Sequence, residues 1–341
     1  MRAAELIAPQ TFRLTEMPIE NPEPGEVQVR IEAVGVCGSD LHAYSEGGVG
    51  STPNVYPMVL GHEPAGRIVK TGAGVSGLAA GDRGALEPAL YCYHCEFCLS
   101  GHHNVCANLR FLSNPHHPGF FRELVNLPAV NFLPISSEMS FEEATLAEPL
   151  AVALHSLRLA SIQPGETVAV IGAGPIGLLT IAALRATKAA RIWAVEPLAH
   201  RRELARGIGA DVVIEPGEAV QEILSNTGQR GVDCAIDCAA GGNTTSQAIQ
   251  ITRNAGRVAL TGIHSTPFVS MEGSAMRRKE LTIFNVRRSN HETHEALELL
   301  DAHAEWFAPL LTHRREIGQI DEAFTIASQY RDDVGKMIVR P

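Results

Sequence analysis

The sequence predicts an α/β protein of two domains, one mainly β and one a doubly wound parallel sheet. Three observations carry this. Residues 1–150 are rich in Gly and Pro and hold short alternating runs such as EVQVRIEAVGV and AGRIVKTG, the pattern of strands joined by turns. From Glu166 onward compact apolar strands alternate with helices, as parallel βαβ units require. The 341-residue length accommodates about two domains.

The alternation runs in a regular order. TVAVIG reads as a strand, PIGLLTIAALRAT as a helix, RIWAVE as a strand, HRRELARGIG as a helix and DVVIE as a strand. GEAVQEILSNT follows as a helix, VDCAIDCA as a strand, NTTSQAIQITR as a helix and GRVALTGI as a strand. After residue 287 come the helices HETHEALELLDAH and DEAFTIASQY and a last strand, GKMIVRP. The doubly wound domain is expected over 151–287. The preceding β domain, 1–150, carries an irregular lobe near 90–120.

Composition excludes several function classes. With 38 acidic and 28 basic side chains the net charge is −10, and no basic tract is present to neutralise a phosphate backbone, so nucleic acid is not an expected partner. No run of 18 apolar residues occurs without charges or turn residues, and the N-terminus lacks a leader pattern, so no membrane partner is expected and a cytoplasmic location is. In a reducing compartment clustered cysteines are metal ligands more often than disulfides.

A dinucleotide site is legible at Gly172, Gly174 and Gly177, which follow one strand and open a helix whose next residues are Pro175 and Ile176. The first glycine permits the tight turn, the second lets backbone approach a pyrophosphate, and the third lets helix and strand pack closely. Glu196 ends the second strand, where a carboxylate binds ribose hydroxyls and repels an additional phosphate, favouring NAD over NADP. Arg201 and Arg202 oppose that preference, since their charge tolerates a phosphate. Cys234 and Cys238, in a later apolar strand, read as inert core thiols.

The segment CYHCEFCLSGHHNVC brings Cys92, Cys95, Cys98 and Cys106 close together. Four thiolates complete a tetrahedral zinc shell with no vacancy, which makes this a structural site. In small peptides such binding supplies about 10–16 kcal/mol, enough to order a lobe with little core. His94, His102 and His103 read as solvated neighbours. Catalysis needs a second ion with an open position, and GVCGSDLH, GHEPAG and AEPLAV offer Cys37, His62, Glu63 and Glu148. Taken singly, each also fits a buried thiol, a core histidine or a helix N-terminal acid.

Together these motifs, in this order and with the RRKELTI segment, resemble the zinc-dependent medium-chain alcohol dehydrogenases, most closely their polyol branch. The resemblance covers nearly the whole chain. It implies a GroES-like β domain interrupted by a Rossmann domain, the chain returning to the first domain over 288–341. It implies Cys37 and His62 as catalytic zinc ligands, with Glu63 or Glu148 as the third, and Asp40 behind His62 to orient its ring. Ser39 and His42 match a proton relay; Ile176, Glu196 and Arg201 match cofactor contacts; and Arg287 matches an arginine near the nicotinamide.

The implied activity is hydride transfer from a secondary alcohol, a sorbitol-like polyol, to NAD, with one catalytic and one structural zinc per chain. Threonine 3-dehydrogenase and butanediol dehydrogenase share most of these motifs. Arg288 and the loop LSNPHHPGFFREL, with His116 and His117, depart from the usual polyol wording and admit a sugar acid or polyol phosphate. A non-catalytic NAD-binding redox sensor is the reading from another class. The resemblance also implies a homo-oligomer joined through Rossmann sheet edges, with a tetramer favoured over a dimer.

Overall fold

The computed structural model describes residues 1–266 and 268–341. The chain divides into two compact units, Met1–Glu148 with Thr293–Pro341, and Pro149–Glu292. The sequence reading placed the breaks after residues 150 and 287; they fall after Glu148, inside the helix Ala147–Leu159, and before the helix Thr293–Ala302.

The first unit is built on a seven-stranded sheet in which Glu26–Gly35 pairs with Glu63–Thr71, Leu124–Pro128 and Met337–Arg340. Alternation in EVQVRIEAVG is the cause: Val27, Val29, Ile31 and Ala33 are buried, while the residues between them are more exposed. Phe12, Tyr44, Phe121 and Phe324 pack ring against ring in its core at centroid separations of 4.8–5.7 Å. The final strand lies antiparallel to Val34 and Gly35, so residues near the C-terminus are delivered beside the GVCGSD and GHEP segments.

The second unit holds six parallel strands in the order Val212–Ile214, Arg191–Val195, Thr167–Ile171, Val232–Asp237, Thr252–Leu260, Thr282–Asn285. Numbered along the chain this is 3-2-1-4-5-6, the doubly wound order whose direction reverses beside the first strand. One boundary differs from expectation. The helix foreseen over 243–253 is Thr244–Ile251, and the next strand already begins at Thr252. Thr252 sits opposite Val232, and a register shift follows before Cys234 meets Arg257, so sheet pairing takes residues that read as the end of the helix.

Candidate active site

Cys37 caps the helix Gly38–Glu46 just past the central strand, with its backbone extended (φ −92°, ψ 156°). Its N–H donates to Asp40 Oδ2 at 3.1 Å. Asp40 Oδ1 accepts from Gly61 N at 3.2 Å and from Ser113 Oγ at 3.4 Å, tying together three separated chain segments. Gly61 (φ +90°) must be glycine, since a Cβ there would meet Phe121 and Val34 at 3.0 Å. The turn it makes places His62 and Glu63 at the start of the strand Glu63–Thr71, against the helix cap.

Cys37, His62 and Glu63 each offer a ligand atom, all within 4.8 Å of one another. His62 Nδ1 stands 3.4 Å from Asp40 Oδ1, an ion-pair distance outside hydrogen-bond geometry, and Nε2 lies 3.3 Å from Ser39 Oγ. His42, on the same helix as Ser39, pairs through Nδ1 with Glu46 Oε1 at 2.8 Å. Glu63 is fully buried; its Oε2 forms an ion pair with the ammonium of Lys336, and neither of its oxygens makes a hydrogen bond among the described residues. Glu148 is buried in the first turn of Ala147–Leu159 and lies outside the three-residue set.

The electrostatics favour a cation here. Burial opposes a charged His62 ring, yet Asp40 and then Cys37 outweigh it and hold its pKa well above the usual value. Burial likewise works against ionised Asp40, but His62 and the N–H donors keep that carboxyl low. Burial pushes the Glu148 carboxyl up to about 7, against the pull of His62 and with help from Glu63 and Glu87. A pocket that draws positive charge onto its imidazole, and leaves a buried carboxylate oxygen unpaired, fits a divalent ion held by sulfur, nitrogen and oxygen.

The four-cysteine lobe fits zinc as well. Cys92 and Cys106 sulfurs are 3.5 Å apart, Cys95 and Cys106 3.9 Å, and Cys92 and Cys98 4.0 Å. A tetrahedron with zinc–sulfur bonds of about 2.3 Å has edges of about 3.8 Å. Hydrogen bonds led by Asn108 bring Cys92 down to about 5, whereas burial pushes Cys98 up to about 12. His94 and His102 are exposed as expected, but His103 is half-buried against Tyr91 and Tyr93, so it packs rather than being solvated.

At the dinucleotide turn, Gly172 takes φ +89° against Ala239. A Cβ at Gly177 would lie 1.8 Å from the Gly172 carbonyl oxygen, and one at Gly174 would lie 3.6 Å from Arg201 Nη1. Pro175 and Ile176 open the helix Pro175–Ala186. Glu196, buried, accepts from Ala173 N at 2.7 Å and Leu198 N at 2.9 Å, so its carboxylate braces the turn itself. Arg202 is committed to the Glu196 and Pro197 carbonyls and to Glu215, while Arg201 reaches the glycines. Burial pushes Cys234 and Cys238 up to about 12, in keeping with inert thiols. Arg287 is exposed just beyond the edge strand Thr282–Asn285, and Arg288 takes φ +54°. His116 is exposed at a turn with φ +67°, and His117 is half-buried.

Sequence reasoning missed Lys336, Ser113 and Glu46. Lys336 reads as the start of a strand, and no local pattern marks a lysine that three-dimensional pairing will bury.

The family model described as Alcohol dehydrogenase GroES-like domain matches residues 23–137, and that described as Zinc-binding dehydrogenase matches 175–302. The chain is 32% identical to sorbitol dehydrogenase of Bacillus subtilis over 343 residues, covering 100% of this chain and 97% of that protein. It is 34% identical to L-idonate 5-dehydrogenase of Vitis vinifera, covering 96% and 91%. Among solved structures, an Escherichia coli oxidoreductase/dehydrogenase of unknown specificity superposes with a TM-score of 0.94 at 28% identity, over 99% and 98% of the chains.

Proposed function

The chain belongs to the zinc-dependent medium-chain alcohol dehydrogenases, enzymes that use zinc and a nicotinamide dinucleotide, and from that premise we propose that it oxidises a secondary hydroxyl of a polyol with NAD. The observation that carries this reading is the convergence of Cys37, His62 and Glu63 within 4.8 Å, with Glu148 buried in reserve. These residues would hold the catalytic zinc, and Cys92, Cys95, Cys98 and Cys106 the structural one. Zinc supplies Lewis acidity, drawing electron density from an alcohol oxygen so that its proton leaves more readily.

The remaining work falls to side chains. Ser39 Oγ, beside His62, takes the hydroxyl proton, and His42 receives it. Glu46, paired with His42 Nδ1 at 2.8 Å, fixes the orientation of that ring. Bound NAD would supply the acceptor for the hydride of the carbinol carbon, so that the products balance as a ketone, NADH and one proton. Gly172, Gly174, Gly177, Pro175 and Ile176 would cradle the pyrophosphate and Glu196 would meet the ribose, with Arg201 beside Gly174. Arg202, already engaged, does not reach for a 2′-phosphate, which supports NAD. Arg287 is assigned to the nicotinamide end.

A sugar acid is the second reading, favoured by the 34% identity to an L-idonate 5-dehydrogenase. A panel of sorbitol, L-idonate, threonine and 2,3-butanediol, each with NAD and NADP, tests both readings by NADH absorbance. Highest kcat/KM on sorbitol with NAD is expected, highest turnover of L-idonate selects the sugar acid, and no turnover of any member contradicts the reading. Assembly belongs to the same proposal, in a cytoplasmic setting. Among the described residues the edge strand Thr282–Asn285 pairs on one side only, the helix Gly273–Lys279 buries none of its residues, and Ile263, Phe268 and Val269 are exposed. These support pairing of second units edge to edge; the family resemblance, not this edge, favours a tetramer over a dimer, and light scattering that gives a monomer mass would refute the pairing.

A further inference from the structure

We propose that Lys336 is a positioning residue for the catalytic metal: it holds one oxygen of Glu63 so that this carboxylate binds the ion through a single oxygen and leaves a coordination position open. The proposal rests on the reading that Cys37, His62 and Glu63 hold zinc. Lysine is almost never fully buried, yet Lys336 is 2% exposed and its ammonium meets a carboxylate that is 0% exposed. The fold makes room for the pair. Gly35 stands opposite Glu63 in the sheet, and a Cβ there would come within 2.1 Å of Glu63 Oε2 and 2.9 Å of Lys336 Cε.

Such a pair is weak evidence for stability, because desolvating two charges offsets most of their attraction. Its geometry has a consequence for coordination instead. Glu63 Oε2 meets the ammonium as an ion pair, and neither carboxylate oxygen makes a hydrogen bond among the described residues, so Oε1 faces no charged partner there. Lys336 therefore limits Glu63 to one metal bond and draws charge from it. Without the ammonium both oxygens are free for the ion, which would be gripped more tightly and would lose the open position an alcohol must occupy.

Cobalt-substituted protein tests this, since four-coordinate Co²⁺ absorbs visible light far more strongly than five- or six-coordinate Co²⁺. Spectra are taken as differences from Cys37→Ser, which retains the four-cysteine ion alone. Lys336→Met is expected to weaken the visible band and to slow chelator removal of the site's metal, the reverse of the loosening that removal of a group behind a metal ligand ordinarily causes. Lys336→Arg should resemble wild type, and Lys336→Leu, which likewise offers no donor, replaces the Met variant if that does not fold. Unchanged spectrum and release in the Met or Leu variant would overturn the proposal, as would a change of the same size in a Glu63→Gln background. Wild-type protein that binds one cobalt per chain, in the cysteine lobe only, would overturn the metal assignment itself and this proposal with it.

Discussion

Asp40 shows how much a single buried carboxylate can organise. It accepts from Cys37 N, Gly61 N and Ser113 Oγ and faces His62, so one side chain fixes both protein segments of the candidate metal centre. Asp40→Ala is expected to weaken zinc at Cys37 and His62 by about 10–100-fold, read by chelator competition, with the cysteine-lobe ion unchanged. Asp233 plays a structural counterpart in the second unit, accepting from Thr167, Arg230 and Arg253. Burial alone would raise its carboxyl, but Arg230, Thr167 and Arg253 hold it well below the ordinary carboxylate range. A depressed folded-state pKa gives stability that is present above the unfolded value of about 3.9 and is lost as pH falls through the folded one. Asp233→Asn should cost about 1–3 kcal/mol at neutral pH, and the gap from wild type in urea melts should narrow below about pH 4.

At the scale of elements, the glycine turn between Thr167–Ile171 and Pro175–Ala186 has no slack. With 1.8 Å between a Gly177 Cβ and the Gly172 carbonyl oxygen, Gly177→Ala must push helix from strand. A loss of about 1–3 kcal/mol is expected, with NADH affinity by fluorescence titration falling at least tenfold. Strand and helix here were legible because apolar β runs and helical runs are set apart by glycines and polar turns. The end of the helix Thr244–Ile251 was not, because Thr252 and Arg253 suit either state and the pairing partner Val232 decides. Glu196 was legible as an acid at a strand end, yet its hold on the Ala173 N–H depends on how the turn folds back, which spacing does not record.

Across the whole molecule, the cysteine lobe could be read from local spacing alone, since its ligands lie within one short segment. The other centre could not. Cys37, His62 and Glu148 lie on distant segments and each has an ordinary structural explanation, so only the full set of motifs joined them. Lys336 was silent because a buried lysine and a surface lysine are spelled alike; the sheet pairing of the C-terminal strand with Gly35 brings it to Glu63. The account as a whole requires an ion at Cys37, His62 and Glu63 that the reaction cannot do without. Zinc per chain and NADH formation, measured together on wild type and Cys37→Ser, examine that requirement at its source. Two zinc ions and turnover in the wild type, with one ion and turnover reduced at least a thousandfold in the variant (about 4 kcal/mol), are expected; a Cys37→Ser protein that lost the ion and still reduced NAD at the wild-type rate would contradict it.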